Sequence, residues 1–293
     1  MLSAAAIAYG AATIVNAIAT GKGAALGVDL WTKAKVKLTD EPGIIEGRIL
    51  SDPSEDTNLI KRVIKRVLQR FRVEEEYGAF VETDSNIPIA RGMKSSSVAA
   101  NAISLATLAA LGRKLSDLDI VKLGVEAAKD AGITITGAFD DACASYFGNI
   151  VVTDNIAQQV ERRFRVNGKY AVLFYVPPLK AYTAQSDVNR MKRVAPLVSV
   201  AYREALLGRY WSAMTFNGLI YSTALSYDIK EAVDALAAGA IAAGVSGKGP
   251  AVAAVVPEDS IAKVKEAWSA FEGEVIQARV NRVKAHVVGT DDD

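Results

Sequence analysis

Residues 88–97 read Pro-Ile-Ala-Arg-Gly-Met-Lys-Ser-Ser-Ser and lead into a run of small and apolar residues that ends near Leu111. The run predicts a tightly packed, buried helix over residues 95–111, with the serines at its start. The first N–H groups of a helix have no partner within the helix, and together with the helix dipole they attract anions. Gly92 allows the backbone to approach a ligand closely, and Lys94 adds a positive charge. The stretch therefore indicates a polyphosphate site, with an ordinary N-capped helix after a turn as the alternative.

Two further motifs could complete such a site. Residues 244–250 read Gly-Val-Ser-Gly-Lys-Gly-Pro, between a predicted helix and an apolar strand, which is typical of a tight loop whose backbone contacts a ligand. Residues 136–142 read Thr-Gly-Ala-Phe-Asp-Asp-Ala, and a carboxylate here could accept a proton from a substrate hydroxyl or bind a metal. A helix-to-strand turn and a helix cap explain the two stretches without a ligand. No Gly-Lys-Ser or Gly-Lys-Thr occurs in the sequence, which excludes a Walker phosphate loop.

The composition excludes several classes of protein. A chain of 293 residues with 51% hydrophobic and 23% charged residues has the balance of a globular protein and the length of two domains. The 34 Lys and Arg against 33 Asp and Glu leave a net charge of +1, so no overall field favours nucleic acid or an anionic membrane. A single cysteine, Cys143, and a single histidine, His286, exclude an internal disulfide, a multi-cysteine metal site and the histidine spacings of zinc hydrolases.

Local patterns also argue against a membrane, nucleic-acid or dinucleotide partner. Residues 1–19 are apolar, but no basic residue precedes Lys22 as a signal peptide would require, and polar residues interrupt the run. The basic residues between 61 and 72 recur at helical spacing and predict a solvated helix face. The glycines between 21 and 27 precede a strand pattern, whereas a dinucleotide-binding loop opens a helix. We therefore expect a cytoplasmic protein that acts on a small molecule.

Periodicity predicts an α+β protein in two parts. In the first part we expect strands at 3–9, 24–39, 44–50 and 74–83, and helices at 59–71, 95–111 and 115–131. In the second part we expect strands at 170–176, 250–256 and 282–288, and helices at 184–206, 228–243 and 259–271. No repeat or long linker separates the parts, so domains of residues 1–165 and 166–293 should share an extensive interface.

Three of these motifs, in this order, resemble those of the GHMP kinase superfamily, which includes galacto-, homoserine, mevalonate and phosphomevalonate kinases. Its phosphate loop, Pro-x-x-x-Gly-Leu-x-Ser-Ser, is matched from Pro88 to Ser96, with Met93 in place of leucine. Its Ser-Gly-x-Gly-Pro motif is matched from Ser246 to Pro250. The segment 137–148 is similar to the stretch around the catalytic aspartate of mevalonate kinases.

A narrower resemblance, to archaeal-type shikimate kinases, lies in residues 10–25, 91–97 and 217–218 and extends over essentially the whole chain. It implies a two-domain GHMP kinase fold, with an N-terminal ATP-binding α/β domain and a C-terminal ferredoxin-like α+β domain. It also implies ATP-dependent phosphorylation of the shikimate 3-hydroxyl, in the biosynthesis of chorismate and aromatic amino acids. Homoserine kinase or another small-molecule kinase of the superfamily is one alternative, and a ligand sensor of the same fold without turnover is another.

The resemblance assigns roles to individual residues. Asp140 would orient or deprotonate the 3-hydroxyl. ATP would be bound by Pro88, Arg91, Gly92, Met93, Lys94, Ser95, Ser96 and Ser97, and Mg²⁺ by Ser96 and Glu126. The substrate would be contacted by Asn16, Lys22, Ser246, Gly247, Lys248 and Gly249. The lysine that mevalonate-type kinases carry in an N-terminal Pro-Gly-Lys is absent, so Lys22 or Lys94 would supply the charge, or Mg²⁺ and the loop amides would suffice.

Two questions stay open at the level of sequence. The carboxylate of shikimate should meet at least one cation, and Arg91, Lys180, Lys192 and Arg193 are all candidates. A monomer and a homodimer are equally compatible with the sequence.

Overall fold

The computed structural model of the chain describes residues 2–88, 92–134, 136–178 and 187–290. These residues form a seven-stranded sheet and a four-stranded sheet, with helices packed against both. Within these ranges no helix is long and apolar enough to cross a bilayer.

The larger sheet is built around a long antiparallel hairpin of its first two strands. Its strands are β1 (Ser3–Val15), β2 (Lys22–Thr39), β3 (Ile45–Ile49), β4 (Gly78–Ser85), β5 (Ile150–Asp154), β6 (Gln159–Phe164) and β11 (His286–Thr290). β2 pairs with β1 along its length, with β4 at its C-terminal end and with β5 at its N-terminal end. The predicted alternation in β2 is confirmed, because Ala34 and Val36 are buried while Lys33 and Lys35 are exposed.

Four helices accompany this sheet, and the small-residue helix is enclosed by the others. They are α1 (Asn58–Phe71), α2 (Ser95–Ala110), α3 (Asp117–Asp130) and α4 (Phe139–Phe147). α2 packs against β1 and β2 and is flanked by α1, α3 and α4. Its alanines and serines allow this close packing on all sides, so the helix predicted over 95–111 is confirmed as a buried one.

The smaller sheet has the ferredoxin-like arrangement. Its strands are β7 (Tyr170–Val176), β8 (Ala242–Val245), β9 (Val252–Pro257) and β10 (Glu274–Arg279), and the helices of this part are α5 (Val188–Arg193), α6 (Ala195–Leu206), α7 (Tyr210–Leu225), α8 (Lys230–Ala237) and α9 (Ile261–Trp268). The spatial order β10-β7-β9-β8, with helices after the first and third strands, is that of a β-α-β-β-α-β unit. The fold is therefore the predicted two-part α+β architecture.

The two parts share one core. A single continuous cluster of buried apolar side chains includes β1, α2, α7 and β7. The predicted boundary near residue 165 falls between β6 and β7, where the chain passes from one sheet to the other. The last strand, β11, returns to the larger sheet and pairs with β1.

Several element predictions were incomplete or wrong. β1 continues to Val15, beyond the predicted end at residue 9, and the helix predicted to residue 243 ends at Ala237 because β8 begins at Ala242. The helix predicted over 184–206 is divided at residues 194–195, where Pro196 lies in the first turn of α6. β5, β6, α7, β8 and β10 were not predicted.

Candidate active site

A cavity of about 460 Å³ opens between the two parts of the chain. Three stretches that lie far apart in the sequence meet in its wall: the loop and helix start at 92–97, the start of α4 at Asp140, and the loop 247–249. A further part of the wall comes from α1, from the edge strand β3 and from its neighbour β4. The cavity is therefore large enough for a small ligand and is lined by the motifs that the sequence singled out.

The start of α2 presents an open helix N-terminus to this cavity. Ser95, Ser96 and Ser97 lie in the wall, and among the described residues no side-chain cap hydrogen bond is found at the N-cap residue Lys94. Lys94 precedes them in a left-handed backbone conformation, with φ of 68°. N–H groups that the chain itself leaves unsatisfied at a helix start form an anion site when a cavity faces them.

The glycine-rich loop of the second part is fastened to this helix start. The Ser246 hydroxyl donates a hydrogen bond to the Gly92 carbonyl at 3.0 Å. A Cβ at Gly92 would lie 2.5 Å from the Ser246 carbonyl oxygen, and the φ of Gly92 is +82°, so only glycine fits there. The two predicted ligand loops thus form one continuous wall.

The N-terminal segment clamps the same loop from the other side. The side-chain amide of Asn16 donates to the Gly247 carbonyl at 2.7 Å, and the Gly247 N–H donates to the Thr13 hydroxyl at 2.8 Å. The backbone N–H of Asn16 donates to the side-chain carbonyl of Asn217 on α7 at 2.9 Å. Asn16 also lines the cavity, so it both holds the loop and faces the open space.

Two adjacent carboxylates at the start of α4 have different surroundings. Asp140 is 3% exposed, and its Oδ1 accepts a hydrogen bond from the Asn155 amide at 2.7 Å. Asp141 forms an ion pair with Lys94, whose Nζ lies 3.0 Å from Oδ2. Burial, followed by the neighbouring charge of Asp141, raises the pKa of Asp140 to about 7, against the opposing effects of Lys94 and Asn155. A buried carboxyl group with such a pKa can exchange a proton near neutral pH.

Lys94 and Lys248 are the cationic side chains of the cavity wall within the described ranges. Burial and the charge of Lys94 lower the pKa of Lys248 to about 8. A Cβ at Gly247 would lie 2.7 Å from Lys94 Nζ, which shows how closely the lysine packs under the glycine-rich loop. Together with the start of α2, the two lysines make this end of the cavity suitable for anionic groups.

Other predicted residues lie elsewhere. Lys22 is outside the cavity wall, and its Nζ lies 3.7 Å from Asp154 and over the Tyr202 ring. Glu126 is also outside the wall, and its Oε1 accepts hydrogen bonds from Lys129 at 2.9 Å and Gln158 at 2.7 Å, which lower its pKa. Pro88 is partly buried beside the loop, Lys192 and Arg193 are exposed on α5, and Arg91 and Lys180 fall outside the described residues.

Sequence reasoning missed several residues that surround Asp140. A Cβ at Gly23 would lie 2.4 Å from Asp140 Oδ2, so the absence of a side chain there makes room for the carboxylate. Asn101 on α2 donates to the Ala142 carbonyl at 2.9 Å and so fixes the start of α4 against α2. No sequence motif indicates a role for Gly23 or Asn101, because each acts through a contact with residues far away in the sequence.

The family models for the N-terminal and C-terminal domains of GHMP kinases match residues 58–149 and 203–273. The chain is 49% identical over 278 residues to a shikimate kinase of Methanosarcina acetivorans, covering 94% of this chain and 93% of that protein. It is 44% identical over 268 residues to a shikimate kinase of Pyrococcus furiosus, covering 91% and 95%.

Two solved structures show the same fold at low sequence identity. A homoserine kinase from Cytophaga hutchinsonii has a TM-score of 0.77 at 18% identity and covers 98% of both chains. The mevalonate kinase of Methanococcus jannaschii has a TM-score of 0.75 at 17% identity, covering 94% of this chain and 98% of that one.

Proposed function

The chain belongs to the GHMP kinase family, and we propose that it is an archaeal-type shikimate kinase, which transfers the γ-phosphoryl group of ATP to the 3-hydroxyl of shikimate. One observation supports the phosphoryl transfer most directly: the open start of α2 and the buried carboxyl group of Asp140 face the same cavity. The choice of shikimate rests on identities of 40–49% over most of the chain to shikimate kinases of archaea.

The triphosphate of ATP would lie at the start of α2. The N–H groups of Ser95 and Ser96 and the hydroxyls of Ser95, Ser96 and Ser97 would donate to its oxygens, and Lys94 would neutralise part of its charge. Lys94 rather than Lys22 is suited to replace the missing N-terminal lysine of mevalonate-type kinases, because Lys94 lies in the wall and Lys22 does not. Pro88 and Arg91 remain predicted members of this site.

A magnesium ion is compatible with the oxygen atoms at this end of the cavity. Mg²⁺ commonly binds through one or two protein oxygens while keeping water and substrate phosphates as its other ligands. Ser96 would hold it from the wall. Glu126 lies outside the wall and stays a predicted ligand; its hydrogen bonds from Lys129 and Gln158 both go to Oε1 and lower its pKa. Bound Mg²⁺ would supply positive charge to the phosphoryl group during transfer.

Asp140 would accept the proton of the substrate hydroxyl. A bond would form between this oxygen and the γ-phosphorus, the bond to the β,γ-bridging oxygen would break, and ADP would leave with those electrons. Because the transition state of phosphoryl transfer is loose, the main contribution of Asp140 is to orient the hydroxyl, with the proton transferred late. A pKa of about 7 keeps the group partly ionised at neutral pH.

Shikimate would lie between Asp140 and the glycine-rich loop. Asn16, Gly247 and Gly249 line this part of the wall, Ser246 holds the loop from beneath, and Lys248 would meet the carboxylate. Lys22, on the outer side of the strand, stays a prediction as a substrate contact. A cytoplasmic location and the oligomeric state, monomer or homodimer, likewise stay predictions.

The test is an ADP-release assay with Mg²⁺-ATP, run in parallel on shikimate, homoserine, mevalonate and no acceptor. Turnover on shikimate alone is the expected result. Turnover on homoserine would be consistent with the proposed site and would contradict the proposed substrate. Homoserine is included because a homoserine kinase is among the structural neighbours. ATP binding with no turnover on any acceptor would favour the ligand sensor.

A further inference from the structure

Asp140 is supported from behind by a chain of buried polar side chains that the proposed reaction does not use. Asn155, which follows β5, donates from its side-chain amide to Asp140 Oδ1 at 2.7 Å. The Thr153 hydroxyl donates to the amide oxygen of Asn155 at 2.7 Å. Asn155 is 2% exposed and Thr153 is fully buried, so solvent does not substitute for either hydrogen bond.

The carboxylate and the threonine together fix which end of the amide faces Asp140. An asparagine in the opposite orientation would present its oxygen to Asp140, which would repel an ionised carboxylate. With the amide nitrogen on Asp140, the amide oxygen accepts from Thr153 at 2.7 Å, which is shorter than the 3.4 Å from the Thr153 hydroxyl to the Gly23 carbonyl. The Asn155 backbone is fixed as well, since its N–H donates to the Gly21 carbonyl at 2.8 Å.

The chain of contacts reaches the second part of the molecule. Tyr202 on α6 donates from its hydroxyl to the Thr153 carbonyl at 3.3 Å. On the other side of Asp140, Gly23 leaves space for Oδ2. One carboxylate oxygen is therefore held by a fixed donor, while the group as a whole still lines the cavity.

We propose that Asn155 is a positioning residue for Asp140 and that Thr153 orients Asn155. The proposal rests on the role given to Asp140 in the proposed function. A donor to one oxygen fixes the rotation of the carboxylate and directs the second oxygen toward the substrate hydroxyl. It also favours the ionised form, which is the form that accepts a proton.

The groups that face Asp140 are few. On its own helix they are Asp141, whose charge raises the pKa of Asp140, and Cys143, and before α2 there is Lys94, whose charge lowers it. α7 contributes Tyr221, which stays protonated because burial raises its pKa. β2 and β5 contribute the neutral residues Gly23 and Asn155, and the hydrogen bond from Asn155 lowers the pKa of Asp140.

The main test is the pH profile of Asn155→Leu, which removes the donor and keeps a similar volume. We expect kcat at pH 7 to fall roughly 10- to 100-fold. The acid limb of kcat/KM should move upward by about one pH unit, since the carboxylate loses a donor. KM for ATP should stay within about twofold. An acid limb that stays at its wild-type position would overturn the proposal, whatever the loss in kcat.

Thr153 offers a matched pair of variants. Thr153→Val removes the orienting hydroxyl at similar size, and Thr153→Ser keeps it. The valine variant should show a smaller upward movement of the same limb, and the serine variant should restore the wild-type profile. Equal profiles for the two would exclude the hydroxyl from the mechanism.

A measurement without turnover separates this proposal from the proposed function. The ¹³C carboxyl resonance of Asp140, assigned by comparison with Asp140→Asn, reports its titration in the ligand-free protein. An Asn155→Leu protein with native melting behaviour should titrate at higher pH than wild type. If shikimate is not turned over but this shift is seen, the function fails and the positioning role stands. If turnover is seen without the shift, the reverse holds.

Discussion

Two neighbouring helices, α2 and α3, begin in opposite ways. At the start of α3, Ser116 accepts a hydrogen bond from the Asp119 N–H, and Asp117 and Asp119 add negative charge to the first turn. At the start of α2 the part of the chain that the structure describes provides no side-chain cap, no acidic residue lies in the first turn, and three serines face a cavity. The first start is satisfied by its own residues, whereas the second is left for an anionic ligand.

The difference shows what a serine before an apolar run can mean. α2 begins at Ser95 and α3 follows the N-cap Ser116, and a serine at such a position can be a cap or part of a ligand site. The structure separates the two cases through the surroundings of α2: Gly92 brings another loop into contact, and Lys94 and Asp140 face the same space. If this interpretation is right, changes around the start of α2 should impair turnover with little loss of stability, and changes at the capped start of α3 should do the opposite.

The largest effect is expected at Asp140. A phosphoryl group bound at the start of α2 is transferred only if Asp140 holds the acceptor hydroxyl in position. Asp140→Asn should lower kcat about 10³-fold and leave the Kd for ATP within about twofold. Kinetics and nucleotide titration on the same preparation check both. A kcat near the wild-type value would remove Asp140 from the mechanism.

The same variant should have an unusual stability profile. The folded-state pKa of about 7 lies above the ordinary value of 3.8, so the folded protein retains a proton that the unfolded chain releases. Stability contributed by this group is therefore lost as the pH rises from about 4 to 7. Asp140→Asn cannot ionise, so it should melt above wild type at pH 8, and the difference should shrink toward pH 5.

Glycine substitutions at the two ends of α2 test the close approach of the loops. Gly92→Ala places a Cβ 2.5 Å from a backbone oxygen, whereas a Cβ at Gly112, which also has a positive φ, would meet nothing within 4 Å. We expect Gly92→Ala to lower kcat/KM for ATP about 100-fold, because small displacements of a phosphate site are costly. Gly112→Ala should cost about 1 kcal/mol of stability and leave kcat/KM unchanged. Equal kinetic effects would mean that the contact at Gly92 does not matter.

Ser96 at the start of α2 and Ser116 at the start of α3 test the comparison of the two helices most directly. Ser96→Ala should lower kcat about 30-fold and raise the Mg²⁺ requirement, because it removes a hydroxyl that would contact Mg²⁺ and the triphosphate. Its Tm should change little. Ser116→Ala should leave the kinetics unchanged and lower the free energy of unfolding by about 1 kcal/mol. A Ser96→Ala protein with reduced Tm and normal kinetics would make this serine a simple cap.

The elements that the sequence predicted well are those with a clear pattern. α2 was found from its run of small residues, and β2 from its alternation. α7 reads Tyr-Trp-Ser-Ala-Met-Thr-Phe-Asn-Gly-Leu-Ile-Tyr-Ser-Thr-Ala-Leu and contains no charged residue. A helix without a polar face gives no helical periodicity, and its aromatic and β-branched residues favour a strand locally, so it was missed.

The site divides in the same way. The stretches 92–97, 140–141 and 246–249 were predicted, because each carries its chemistry in adjacent residues. Gly23 and Asn155 were not, because they reach Asp140 only through the pairing of β2 with β5, which sets Gly23 opposite Thr153. Lys22 illustrates the limit: successive side chains of a strand point to opposite faces, so Gly23 faces Asp140 and Lys22 points away toward Asp154.

A smaller effect is expected at Lys248, which concerns the acceptor rather than α2. Lys248→Met should raise KM for shikimate about tenfold and leave KM for ATP unchanged, since it removes one charged contact. Lys192→Met, on the exposed face of α5, is the control and should behave as wild type. An effect of Lys192→Met with none from Lys248→Met would move the carboxylate site to α5.

The smallest effect is expected at Glu126, which lies in the C-terminal half of α3, away from its capped start. A glutamine side chain at this position could still accept the hydrogen bonds from Lys129 and Gln158, so Glu126→Gln removes charge while the local structure is kept. Loss of this negative charge should raise the Mg²⁺ concentration for half-maximal rate about fivefold, without changing kcat at saturating Mg²⁺. Glu204→Gln, at a half-buried carboxylate paired with Arg209 on the second part, controls for a general loss of charge. If both variants keep the wild-type Mg²⁺ dependence, Glu126 is a surface residue of α3 and not a metal ligand. Ser96 then remains as the proposed protein ligand of Mg²⁺.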